Sequence, residues 1–260
     1  AQYLAIYEME SDDTRSAMKR LGEAVADLAQ RGRMLEGLEV VSTWAGLRPL
    51  VRDSAGSASS NSREHVILVG PGGMLTVAGG KLTTYRSMSA EVVDRVIRLL
   101  PSRRRGGWPA DSGTDREPLP GGETPDLSTF RERAIAIGLP PATADHLVRH
   151  YGTESAGILN LGMADRALFT PLHPRHPAIG GEVVHAVRRE LAQRVEDVLV
   201  RRVHLFHELE DHGVPAAPRV AALLGRELGW SAERIAAEAS RYVAAVEASA
   251  RSEAPRAESS

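Results

Sequence analysis

Between Ser11 and Gln30 the apolar residues Ala17, Met18, Leu21, Ala24, Val25 and Leu28 recur at spacings of three and four, which predicts an amphipathic helix. Ser11 is placed to cap it, and Asp12 and Asp13 fall in its first turn. Upstream, Tyr3 to Tyr7 reads as a strand. β-forming residues concentrate at Leu38 to Thr43, His65 to Val69 and Met74 to Val77, and Gly70-Pro71-Gly72-Gly73 between the last two predicts a hairpin. The polar stretch 53–62 has the Gly, Ser and Asn content of an exposed loop. From Thr84 to Leu100 the helical period returns, so the second hairpin strand runs through Ala78-Gly79-Gly80-Lys81 directly into a helix.

Residues 101–126 are dense in Pro and Gly and predict a linker. Beyond it the pattern is helical at Phe130 to Ile137, Ala142 to Tyr151, Glu182 to Val203, Pro218 to Leu228 and Ser231 to Ala248. Residues 249–260 read as a disordered tail. The expected organisation is an α+β region over 1–100, the linker 101–126, an all-α domain over 127–248 and the tail 249–260.

Composition narrows the function classes. With 260 residues, 42% of them hydrophobic and 25% charged, the chain is globular and long enough for two domains. A formal net charge of −2 argues against nucleic acid as a partner. The absence of cysteine removes disulfides, thiolate metal sites and Cys nucleophiles together. No apolar run approaches the roughly 18 to 20 residues that a membrane span needs.

Three segments carry candidate chemistry. In Gly79-Gly80-Lys81-Leu82-Thr83-Thr84-Tyr85-Arg86, two glycines let the backbone approach a planar or anionic ligand, and the helix start offers unpaired N–H groups. An ordinary strand-to-helix turn capped by Thr83 or Thr84 is the competing reading. Of the 32 Lys and Arg residues only Lys19 and Lys81 are lysine, which draws attention to Lys81. In Trp44-Ala45-Gly46-Leu47-Arg48-Pro49-Leu50, an arginine among apolar neighbours needs an anionic partner, either a phosphate or a structural carboxylate. Arg63, at the start of the next strand, adds a cation beside the polar loop.

The histidines of Leu172-His173-Pro174-Arg175-His176 and of His204 to His212 read as solvated rather than metal-binding, because no matched carboxylate frame accompanies them. Ser102 to Arg105 reads as a solvated tether. Arg188, Arg189, Arg201 and Arg202 read as helix-surface pairs with Glu190, Glu196 and Asp197.

Ser42 to Val51 (STWAGLRPLV), Ser62 to Ile67 (SREHVI) and Gly79 to Arg86 (GGKLTTYR), in this order, resemble the FAD-dependent glycerol-3-phosphate dehydrogenases, and Glu182 to Arg202 resembles the helical C-terminal domain of the same family. The family opens with a G-x-G-x-x-G fingerprint for the FAD pyrophosphate, and no such sequence occurs here, so the resemblance implies a C-terminal portion. It implies that 1–100 completes an FAD- and substrate-binding domain. Gly79, Gly80, Leu82 and Thr83 would then line the flavin, and Arg48, Arg63 and Lys81 would hold the phosphate of sn-glycerol 3-phosphate.

The catalytic base and the rest of the FAD site would lie in a missing N-terminal segment. The electron acceptor would be a quinone, the location cytoplasmic, with peripheral contact on the inner face of the cell membrane. No metal or nucleic acid enters this reading. Two other classes compete with it: a non-catalytic helical interaction module without flavin, and a flavin amine oxidase, against which the trio Arg48, Arg63 and Lys81 argues.

Overall fold

The computed structural model describes residues 65–101 and 112–253. The strands expected at Tyr3 to Tyr7 and Leu38 to Thr43, the helix at Ser11 to Gln30 and the loop 53–62 lie outside these residues. The chain divides into two compact units, Ala1–Pro118 and Leu119–Ser260.

In the first unit, β1 (His65–Val69) and β2 (Leu75–Gly79) form an antiparallel hairpin in the register Ile67↔Val77. Its turn closes through Gly70 N–H donating to the Met74 carbonyl at 2.7 Å, with Gly72 and Gly73 at φ 73° and 80°. A short 3₁₀ turn, Leu82–Thr84, leads into α1 (Tyr85–Leu99). His65 Nε2–H donates to Glu91 at 2.9 Å and ties the strand to the helix. None of the described residues of these elements is fully buried. A two-stranded hairpin with one helix has too little apolar surface to close a core by itself.

The second unit holds two apolar cores. The first joins α2 (Ser128–Ala136), α3 (Pro141–Tyr151), α4 (Ser155–Ala164) and Ile179 around Leu147, Ile158 and Leu159. The second is built from α5 (Gly180–Glu190), α6 (Val195–Leu199), α7 (Leu205–Glu208), α8 (Ala217–Leu228) and α9 (Ala232–Glu253) around Val183, Leu199, Leu224 and Tyr242. Pro141 opens α3, where its missing N–H costs nothing. Gly229, left-handed at φ 67°, closes α8. α8 and α9 pack closely because Gly225 leaves room for Ile235.

Five expectations need correction. The helical domain also contains a hairpin, β3 (Pro171–His173) with β4 (His176–Ile179), because Pro171, Pro174 and Pro177 deny a helix its donors. α4 was not visible as a period, since SAGILNLGMA is nearly all apolar and carries two glycines. The stretch read as linker ends early. Residues 119–126 belong to the helical unit, where the Gly121 carbonyl accepts Thr153 N–H at 3.0 Å and Glu123 accepts the Thr153 hydroxyl. α9 continues to Glu253, into the stretch read as a tail, and 254–260 lie outside the described residues.

The fifth concerns Glu182 to Val203, which is two helices. α5 stops at Leu191, left-handed at φ 58° and ψ 33°, and Ala192 N–H returns to the Ala186 carbonyl at 2.9 Å. Arg202 holds the break, donating to the Glu190 and Asp197 carbonyls at 2.5 and 2.8 Å. Leu191 is 78% exposed, so its side chain returns little for the strain of its backbone. Leu191→Gly is expected to stabilise the unit by about 0.5 to 1 kcal/mol, read from urea midpoints at unchanged m-value.

Candidate functional site

The glycine turn brings four of the sequence-predicted residues to one place. Gly79, Gly80, Lys81 and Leu82 line an open trough of about 630 Å³ whose other walls are Ser89 and the mainly apolar Val77, Tyr85, Met88, Val92 and Val93. Gly79 and Gly80 have φ of 76° and 85°, values that L side chains rarely adopt. A Cβ on Gly80 would also lie 2.5 Å from Met88 Sδ and 3.3 Å from His65 Cβ. The turn thus requires glycine and is braced from behind.

Thr84 supplies the local order. Its hydroxyl accepts from Lys81 N–H at 3.3 Å and lies 3.0 Å from the Lys81 carbonyl, and Thr84 N–H closes the turn on that carbonyl at 3.0 Å. The first-turn N–H groups of Leu82 and Thr83 have no intrahelical acceptor. Lys81 and Leu82 are exposed, Leu82 at 87%, and no carboxylate pairs with Lys81 among the described residues. Thr83 is exposed beside the trough without lining it. Arg48 and Arg63 lie outside the described residues.

A second polar constellation, in the helical unit, was not foreseen. Two of the histidines read as solvated are buried, His173 and His176 exposing 4% and 6%, while His204, His207 and His212 are partly buried. In each of the buried two, Nδ1 accepts a backbone N–H two residues on, from Arg175 and Ala178, both at 3.1 Å. That fixes the proton on Nε2, which donates to Asp211 at 3.0 Å from His173 and to Glu208 at 3.1 Å from His176. The hairpin is thereby fastened to the 205–211 segment. Histidine spacing alone could not show this, since the carboxylates lie more than thirty residues away.

At the centre sits Glu182, fully buried at the third position of α5. Its carboxylate accepts Ile179 N–H at 2.6 Å, as the returning half of a capping box, and the His146 Nε2–H at 2.7 Å. Burial, and then the nearby Glu182 carboxylate, push the Tyr151 phenol above its ordinary range. Tyr151 faces a cleft of about 390 Å³ whose walls include His150, His185, Arg189 and Glu190. Among the described residues no group of three or more His, Asp or Glu is arranged to hold a metal ion.

The four arginines of interest are all engaged. Arg188 grips Glu227 at 2.7 and 3.2 Å, Arg201 meets Asp197 at 3.0 Å, Arg202 meets Glu190 at 3.0 Å, and Arg189 lies 3.7 Å from Glu154. Their partners include Glu227 and Glu154, which sequence neighbourhood did not offer. No helix among the described residues is long and apolar enough to cross a membrane.

Residues 112–235 match the model of a family described as the C-terminal domain of alpha-glycerophosphate oxidase. The chain is 34% identical over 218 residues to glycerol-3-phosphate dehydrogenase 2 of Mycobacterium tuberculosis, covering 83% of the chain and 36% of that protein. It is 34% identical over 218 residues to the glycerol-3-phosphate dehydrogenase of Mycobacterium leprae, with the same coverage of 83% and 36%. The mitochondrial glycerol-3-phosphate dehydrogenase of Rattus norvegicus is 31% identical over 203 residues, covering 74% of the chain and 26% of that protein. The chain spans about a third of the length of the mycobacterial relatives it matches.

Proposed function

Because this chain belongs to the glycerol-3-phosphate dehydrogenase family and corresponds to a C-terminal portion of it, we propose that it completes the flavin and substrate site of an FAD-linked enzyme that oxidises sn-glycerol 3-phosphate to dihydroxyacetone phosphate. The observation that supports this most is the glycine turn, where a mainly apolar trough, two positive-φ glycines and a cation with no carboxylate partner among the described residues converge at a helix start. A flat ring that becomes anionic on reduction needs such surroundings: apolar contact on its face and backbone donors at its edge.

The residues present fit the flavin. Val77, Leu82 and Tyr85 would supply apolar contact, and the N–H groups of Leu82 and Thr83, with Gly79 and Gly80 allowing close approach, would favour negative charge at the ring edge. The bound flavin supplies the hydride acceptor. Lys81 would bind and orient the phosphate, with Arg48 and Arg63 as the further cations of the same clamp. The substrate hydroxyl proton would leave to a base in the N-terminal portion, and the electrons would pass on to a quinone, with the enzyme resting against the inner face of the cell membrane.

The test is Lys81→Met in a complete enzyme carrying this chain. Loss of one charge-assisted contact of about 1.5 to 3 kcal/mol lowers kcat/KM for glycerol 3-phosphate roughly ten- to over a hundredfold. Turnover of glycerol and the melting temperature should stay unchanged, since Lys81 is exposed. A variant that melts far below the parent yet keeps its preference for the phosphorylated substrate would show that the turn is scaffold.

A further inference from the structure

Four imidazoles form a column through the helical unit: His176 on β4, His146 and His150 on α3, and His204 at the entry to α7. Successive ring centroids are 5.4, 4.3 and 5.7 Å apart. The carboxylates bonded to it are Glu182 of α5, on His146, and Glu208 of α7, on His176. Among the described residues neither His150 nor His204 has an ion-pair partner. The column reaches solvent at His150, whose ring is half-buried against His146 and lines the cleft.

The other charged groups near the cleft leave little to offset added protons. Arg149 precedes His150 on α3, Arg188 and Arg189 lie on the cleft wall, Glu154 is paired with Arg189, and Glu190 is paired with Arg202. His176 meets a second obstacle. Its Nε2 proton is committed to Glu208 and its Nδ1 accepts Ala178 N–H, so an additional proton would set two N–H groups against each other. His173 stands in the same position between Arg175 N–H and Asp211, with Arg175 also on Asp211 at 3.1 Å.

We propose that this column is a proton-operated latch: with the His150 and His176 rings neutral it holds α3, the β3–β4 hairpin and segment 204–211 together, and proton uptake on these two rings releases them. Desolvation, and then the neighbouring His146, hold His150 below its ordinary range, and desolvation outweighs Glu208 in lowering His176. The sign follows. The unfolded chain takes protons on His150 and His176 at about pH 6.5 and the closed form only below that, so the stability they contribute is complete above about pH 7 and is lost as pH falls through the lowered values of the closed form. His185 and His207 are lowered by desolvation too, and they lie off the column. His207 lies within 204–211 and the His185 ring packs against Tyr151, so the two column variants, which leave both in place, separate their share of the acid response from that of the latch.

The test is therefore resolved by position. Hydrogen exchange of the full chain is followed from about pH 7.5 to about pH 5.5, corrected for the intrinsic pH dependence of exchange. Protection of residues 141–151 and 204–211 is expected to fall at least about tenfold, while α8 and α9 keep theirs. His176→Asn keeps an acceptor for Ala178 N–H and cannot take the proton, and His150→Phe keeps a ring in the stack without a titrating nitrogen. Each should remove half or more of the acid response, and if one fails to fold the other decides. Equal loosening of α8 and α9, no acid response, or a full response in a folded variant would overturn the latch.

Discussion

Glu182→Ala is expected to destabilise the helical unit by about 3 to 5 kcal/mol, lowering its melting temperature by roughly 10 to 20 °C. The carboxylate is fully buried and performs two tasks at once, accepting Ile179 N–H at the start of α5 and the His146 ring proton. Alanine leaves both donors without a partner in a place water does not reach, and leaves a void between α3 and α5. Glu182→Gln separates charge from shape. Its amide oxygen can accept Ile179 N–H, and its NH₂ can donate to His146 once the imidazole shifts its proton to Nδ1. The Gln variant should therefore lose about 1 to 2 kcal/mol only. Equal losses in the two variants would mean that volume, not hydrogen bonding, is what Glu182 contributes.

Gly152→Ala should cost as much from an unrelated cause. Gly152 sits at φ 53° and ψ −128°, a region closed to side chains, and a Cβ there would run into the Gly121 carbonyl oxygen. Backbone strain of about 1 to 3 kcal/mol and overpacking of a similar size add to about 2 to 6 kcal/mol. The overlap has a directional consequence. Pushing Gly121 away breaks its bond from Thr153 N–H and detaches residues 119–126 from the end of α3. Limited proteolysis should then cut that segment in the variant at conditions where the parent resists. A folded variant with normal melting and an uncut segment would show that the two backbones are not in contact.

Where side-chain periodicity decides local structure, the sequence was readable. The β1–β2 hairpin, α1 and the bodies of α3 and α8 follow from β-forming runs, the helical period and Gly at an end, each within a residue or two of its observed bounds. Where a remote partner decides, it was not. Nothing local in Leu191 announces a left-handed break, which depends on Arg202 capping the carbonyls of Glu190 and Asp197. His173 and His176 look like surface histidines until Asp211 and Glu208 are brought to them. Glu182 did carry a signal, a glutamate three residues after the helix N-cap, but Gly180-Gly181 disguised the start of the helix. The glycine turn was legible as a candidate because its requirement is local, namely two positive-φ positions before a helix start.

The proposal that this chain completes a flavin and glycerol 3-phosphate site is tested most directly by the reductive half-reaction. A complete enzyme carrying the chain, flavin-loaded and free of oxygen, is mixed with glycerol 3-phosphate or with glycerol while the flavin absorbance is followed. The account predicts bleaching with glycerol 3-phosphate at concentrations where glycerol leaves the flavin oxidised, with dihydroxyacetone phosphate formed in equal amount to the flavin reduced. Flavin that stays oxidised with glycerol 3-phosphate, or a complete protein that holds no flavin, would contradict it and favour the reading of the chain as a helical interaction module.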